Sequence, residues 1–159
     1  MAFREMRRKS KEIPPEAITQ LLFHTRRGVL AVNGDDGYPY AIPVNYRYDA
    51  EQQKIYFHGA PVGHKVDALK ACDKVCFTVF GNEQVKDAVW APYLQSVVIF
   101  GRCHLIRDPA AAMQQVKNLA MKYYPDEAQV DEEIAADGKA VQMFEITIEH
   151  ITGKEIQER

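Results

Sequence analysis

Apolar and polar positions alternate with a period of two along most of this chain, the pattern of half-buried strands, and the helical period of 3.6 appears only in short interludes. Pro14-Pro15-Glu16 opens the first interlude, since proline is tolerated in a helix's first turn, and Ile18, Leu21 and Leu22 then share one stripe. Gly28 to Asn33 predicts a buried strand, and Gly34-Asp35-Asp36-Gly37 a tight hairpin turn. Tyr38 to Tyr48 is the returning strand. Pro39 and Pro43 lie inside it; because proline lacks the ladder donor, they mark an edge, a bulge, or a place where something other than a strand pairs. After a polar turn at Asp49 to Gln53, Lys54 to His58 reads as a third strand and Val66 to Ala71 as a short helix.

Lys74 to Phe80 alternates as a fourth strand, Gly81 to Pro92 is irregular, and Gln95 to Arg107 is a long fifth strand. Asp108-Pro109 caps a helix reaching about Tyr124, with Met113, Val116, Ala120 and Tyr123 on one face. Asp126 to Asp137 is acidic and poorly periodic, and is expected to be a solvated loop or irregular helix. Val141 to Ile148 closes the series. Six strands at short spacing with two or three helices outside predict a mainly β protein, a small antiparallel β-barrel, in one domain over residues 1–159. The helices are too few and too unevenly spaced for a doubly wound sheet.

The strand-to-helix connection carries the most suggestive chemistry. Gly59-Ala60-Pro61-Val62-Gly63-His64-Lys65 joins the third strand to the short helix. A glycine-bearing turn that opens a helix aims unpaired N–H groups outward at the positive end of the helix dipole, and Lys65 and His64 add side-chain donors. The stretch reads either as a phosphate site or as an ordinary loop with a solvated lysine. Elsewhere there is no Gly-x-Gly-x-x-Gly, no P-loop and no Gly-x-Ser-x-Gly; the serines are only Ser10 and Ser96. The histidines fall in different elements, and His64, Cys72 and Cys76 match no common ligand spacing, so no metal site is expected.

Composition narrows the classes further. The 159 residues carry a formal net charge of −2, and 47% are hydrophobic, as in an ordinary soluble domain rather than a nucleic-acid binder. The basic run Arg4, Arg7, Arg8, Lys9 and Lys11 could grip a phosphate or a headgroup, but is read as a solvated tail. No apolar stretch is long enough to cross a bilayer, and the N-terminus lacks the apolar block of a signal peptide. Three cysteines without a paired spacing add no disulfide framework, so a cytoplasmic protein with no membrane partner is expected.

Several ordered segments make the chain recognisable: Met6-Arg7-Arg8-Lys9, Gly28-Val29-Leu30-Ala31, Asp36-Gly37-Tyr38-Pro39-Tyr40, Ile42-Pro43-Val44-Asn45-Tyr46, Ile55-Tyr56-Phe57-His58-Gly59-Ala60, Gly63-His64-Lys65, Ser96-Val97-Val98-Ile99-Phe100-Gly101 and Ile148 to Lys154. Together they resemble the flavin-binding split-barrel superfamily of pyridoxamine 5′-phosphate oxidase, and within it the nitroimidazole-resistance (Nim-type) branch. The resemblance implies an FMN-binding split barrel and a homodimer with FMN at its interface. It further implies that Ile42, Pro43, Val44 and Asn45 face the flavin ring. His58 and Gly59 then lie near the ribityl chain, and Gly63, His64 and Lys65 form the phosphate turn. Gln95 and Ser96 reach the flavin from the partner chain.

The implied activity is an oxidoreductase taking electrons from NAD(P)H to a small acceptor such as a nitroaromatic. The alternatives are a non-catalytic flavin sensor or carrier, and a haem-binding split barrel with His58 or His64 as axial ligand. No catalytic side chain is identified, His58 being the candidate for proton transfer. Trp90 and Tyr93 read either as core packing or as an aromatic wall over the flavin. The chain's ending, Lys154 to Arg159, has no equivalent of the oxidase branch's tryptophan and arginine segment, which argues against vitamin B6 oxidation.

Overall fold

The computed structural model describes residues 2–85 and 92–157. In chain order these form α1 (Pro15–His24), β1 (Arg27–Asn33), β2 (Pro39–Asp49), β3 (Lys54–Gly59), α2 (His64–Ala71), β4 (Lys74–Gln84), β5 (Tyr93–Leu105), α3 (Pro109–Tyr123), α4 (Glu127–Asp137) and β6 (Gln142–Gln157). The strands close into one antiparallel barrel in the order β1-β2-β3-β6-β5-β4. The expected six-stranded, mainly β architecture is therefore present. Alternation decides what fills it: Leu30, Tyr46, Phe57, Phe77, Ile99 and Ile146 all point inward and are fully buried. A second cluster, Tyr56, Leu119 and Met143, lies outside the barrel wall where α3 covers β3 and β6.

β4 runs on to Gln84 and β5 starts at Tyr93, so the irregular stretch is shorter than expected. Three larger differences from the sequence expectation each have a physical reason. Residues 127–137 form a regular helix, bringing the described α-helices to four. Its weak stripe hides it, but the Asp126 side chain accepts from the Gln129 N–H at 3.2 Å and caps it, while Val130 is buried. β6 runs to Gln157 rather than stopping at Ile148. A register shift opposite Phe100/Gly101 slips the alternation by one residue: Ile148 pairs with Gly101, while His150 pairs with Phe100. The inward positions switch from even to odd numbers at that bulge, so the sequence pattern breaks while the strand continues. Finally, the N-terminal run is exposed as expected but is not a free tail. The Ile13 N–H donates to the Gly153 carbonyl at 3.1 Å, and Glu12 bridges Lys154. No helix among the described residues is long and apolar enough to cross a membrane.

The two prolines of β2 are explained by where the ladder changes partner. Residues 39–45 pair with β1 and residues 46–49 with β3, so the upper part of β2 has one open edge among the described residues. Tyr46 directs its N–H and carbonyl away from β3, to Tyr123 and Lys122. Backbone direction alternates along a strand, so residues 39, 41, 43 and 45 face the opposite, open edge. Pro39 and Pro43 thus lack their N–H where no ladder bond is required.

Candidate functional site

β3 and α2 set up the site. Gly63 takes φ +132° and ψ −178°, a conformation that L side chains rarely adopt, and so lets the chain turn from the loop straight into α2. Val66, Ala68 and Leu69 bury one face of that short helix. Gly63, its N-cap, has no side chain to cap the first turn, which among the described residues leaves N–H donors and the positive end of its dipole available.

Lys65 does not project into solvent. Its side chain is half-buried, with Nζ 5.0 Å from the centre of the Phe144 ring and 5.5 Å from that of Phe57. Those two rings are fully buried and stack at 4.9 Å. The approach depends on Gly59, because a Cβ there would lie 2.6 Å from the Lys65 Nζ. Among the described residues Lys65 has no ion-pair partner. Desolvation is the main cause lowering its pKa below the ordinary lysine value, with the neighbouring Cys103 opposing it. A cation partly removed from water without a counter-charge is a standing cost that a bound anion would relieve.

Substituting Gly59 is expected to displace this ammonium with little effect on stability, because the obstructing atom is the end of a flexible chain. Gly59→Val should weaken phosphate-ligand binding in a titration, while the thermal midpoint stays near that of the unmodified protein.

The remaining expected residues divide between neighbouring faces. His64 turns away from Lys65: its ring stacks on Tyr40 at 4.1 Å, with Nε2 3.7 Å from the Asp35 carboxylate. His58 lies on the outer side of β3, where with Asn45, Tyr123 and Met143 it lines a cavity of about 530 Å³ between the sheet and α3 and α4. Ile42 and Val44 point into the barrel with their backbone groups on the β1 side, while the Pro43 carbonyl and the Asn45 backbone face the open edge. Ala41, which shares that edge, was not singled out by sequence; the prolines two residues to either side were the available signal.

Partial desolvation, followed by the Lys65 charge, lowers the His58 pKa below the usual histidine value. The imidazole is accordingly neutral at pH 7 and able to accept a proton. An NMR titration of the ligand-free protein should place the His58 midpoint below about 6.5, and Lys65→Ala should move it back up.

Gln95 and Ser96 lie apart from these residues within one chain. Gln95 pairs with Gly81 and Glu155, and Ser96 with Phe80 and Lys154. They lie ten and nine residues, respectively, along β5 from Leu105, the residue paired with Phe144, a separation of roughly 30 Å at the usual strand rise. Tyr93 opens β5, half-buried and paired with Gln84, and Trp90 lies outside the described residues. Cys103 is buried and its thiol is pushed up to about 12, chiefly by desolvation, so it carries no thiolate at neutral pH. No group of three potential metal ligands occurs among the described residues.

Residues 14–155 match the family model described as pyridoxamine 5′-phosphate oxidase. The chain belongs to that family. Solved structures repeat the fold at low identity. A candidate 5-nitroimidazole antibiotic resistance protein from Bacteroides thetaiotaomicron superposes with a TM-score of 0.77 at 18% identity, over 91% of this chain and 85% of that one. An FAD-binding protein from Mesorhizobium loti gives 0.64 at 23% identity, over 92% and 97%. An FAD and haem binding protein from Mycobacterium smegmatis gives 0.73 at 18%, over 95% and 75%. No curated protein matches the sequence.

Proposed function

We propose that this protein is a flavoprotein holding FMN at Lys65 and the start of α2, and that it acts as a cytoplasmic oxidoreductase passing electrons from NAD(P)H to a small acceptor such as a nitroaromatic. The half-buried Lys65 ammonium, with no counter-charge among the described residues, carries the proposal. A terminal phosphate supplies that charge and accepts from the uncapped N–H groups of α2. The family match, and two neighbours whose own descriptions name FAD, support a flavin rather than another phosphate ester.

Bound flavin would supply the hydride and electron transfer. The chain's own residues bind, orient and exclude water. Lys65 neutralises the phosphate. The Pro43 carbonyl and the Asn45 backbone, on the open edge of β2, offer hydrogen bonds to the polar rim of a flat ring. His58, neutral at pH 7, lines the 530 Å³ cavity as the group able to take up a proton. Three free cysteines suit the reducing compartment proposed here.

The proposed assembly is a homodimer with FMN between subunits. Its support is an outward face of unusual character for a lone barrel: Val29, Ala31, Cys76, Val98 and the exposed Phe80 and Phe100 lie side by side across β1, β4 and β5. A second copy covering this band would also deliver its own Gln95 and Ser96 to the flavin, which one chain cannot do. Sedimentation equilibrium should return twice the chain mass.

The absorbance spectrum of the purified protein tests the whole reading. A flavin spectrum that bleaches on anaerobic stopped-flow mixing with NADH or NADPH is expected. A flavin that stays oxidised would make the protein a carrier or sensor. A Soret band in place of flavin absorbance would favour haem, with the exposed His58 as the side chain available to ligate it.

A further inference from the structure

We propose that the cavity between the sheet, α3 and α4 selects its occupant by charge, and takes an apolar ring compound that carries a cationic nitrogen. That this compound is the electron acceptor rests on the function proposed above; that it is a cation does not. The cavity meets the proposed flavin site at Asn45 and His58, and the rest of its lining comes from α3, α4, the turn between them and the segment entering β6. An occupant thus lies alongside a flavin on the β2 edge, where an acceptor has to be.

Size and walls admit a small organic molecule. The volume of about 530 Å³ falls in the range of ligand pockets, and Val116, Leu119, Val130, Ile134, Val141 and Met143 supply an apolar wall.

The charge of the cavity is one-sided. Glu133 and Asp137, one turn apart on α4, both line it, and no lysine or arginine does. Neither carboxylate is in an ion pair among the described residues, for Lys117 is taken by Glu127 at 2.9 Å and Asp131 at 3.0 Å. The Lys122 Nζ is committed to the Thr25 and Tyr46 carbonyls, and Lys139, the nearest cation in sequence, lies outside the lining. His58, neutral at pH 7, adds no charge of its own. This placement is unfavourable for the helix itself. Like charges four residues apart repel, and a carboxylate in the last turn faces the negative end of the dipole, with no basic residue there to offset it. A cationic nitrogen between the two carboxylates relieves both effects. An anionic ligand would add a third negative charge, and a neutral ring would leave the pair as it is.

Calorimetry on the full-length protein, in the cofactor state in which it purifies, tests this. Para-nitrobenzyltrimethylammonium is expected to bind at least about tenfold more tightly than para-nitrobenzyl alcohol, and para-nitrobenzoate more weakly than either. Glu133→Gln/Asp137→Asn should bring the cation down to the affinity of the alcohol, with the thermal midpoint no lower, because a like-charge pair has been removed. Glu132→Gln, on the same helix but outside the lining, should leave the preference in place. Failure of the cation to bind, equal affinity for the alcohol, a preference that survives the double variant, or an equal loss in Glu132→Gln would overturn the proposal. In NADH-driven turnover the double variant should also raise the KM of the cation. Selective binding without any turnover would refute the reductase reading and uphold the selectivity of the cavity, whereas turnover without a charge preference would do the reverse.

Discussion

Lys65→Ala is expected to weaken FMN binding by between about tenfold and about 150-fold, since hydrogen bonds to charged groups contribute roughly 1.5–3 kcal/mol. The direction follows from the ligand-free chain. Lys65 already bears the cost of partial desolvation without a counter-charge, so the phosphate relieves an existing strain rather than only adding a contact. The same argument gives an opposite sign for stability. Removing the cation should leave the ligand-free protein no less stable, while the stabilisation conferred by FMN falls with the affinity. His64→Ala is the control: its ring stacks on Tyr40 and points at Asp35, so it should cost less than Lys65→Ala. Fluorescence titration with FMN, paired with thermal melts with and without the ligand, reads both effects. Equal affinity in the Lys65→Ala protein would remove the phosphate site from that turn.

The sequence made some parts of this arrangement readable and concealed others, for identifiable reasons. Local signals worked where the physics is local. The glycine at position 63 announced a turn that only glycine accommodates easily, and Pro39 and Pro43 offered an edge as one of their readings, matching an edge of β2 that no strand occupies among the described residues. What failed depended on tertiary context. The slip of alternation at the Phe100/Gly101 bulge cut the apparent last strand in half, because a period-two reading cannot survive one inserted residue. α4 was hidden by its acidic composition, although the capping Asp126 was in plain view. The basic run was read as a tail because charge density says nothing about whether a backbone docks. Its anchoring bonds go to Gly153 and Lys154, more than a hundred residues away. The role of Lys122 was equally unreadable, since its partners are main-chain oxygens and carry no side-chain signature.

Lys122→Met is expected to destabilise the fold by about 1–3 kcal/mol at pH 7, through loss of two hydrogen bonds at the point where β2 changes partner. The Lys122 Nζ donates to the Thr25 carbonyl at 2.8 Å and to the Tyr46 carbonyl at 2.9 Å, and lies 3.8 Å from the centre of the Tyr46 ring. Tyr123 completes the clasp: its hydroxyl accepts from the Tyr46 N–H at 2.9 Å and donates to the Arg26 carbonyl at 2.5 Å. Together they satisfy the Tyr46 backbone groups that β1 no longer pairs, and tie α3 to the α1–β1 connection. Desolvation, with Arg26 adding to it, lowers the Lys122 pKa from 10.5 to about 8. A folded-state value below the unfolded one means that the unfolded chain binds the proton more tightly, so this group's contribution to stability rises as pH climbs from about 8 to 10.5. A neutral amine still has two N–H donors for the two carbonyls, so deprotonation removes the cost of the charge while both bonds persist. The stability gap between the unmodified protein and Lys122→Met should therefore widen by about 1–2 kcal/mol across that interval after allowance for solvent screening. Urea melts of both proteins at pH 7, 8.5 and 10 measure it, and a gap that narrows with rising pH would show that the ammonium, rather than its two hydrogen bonds, holds the clasp together.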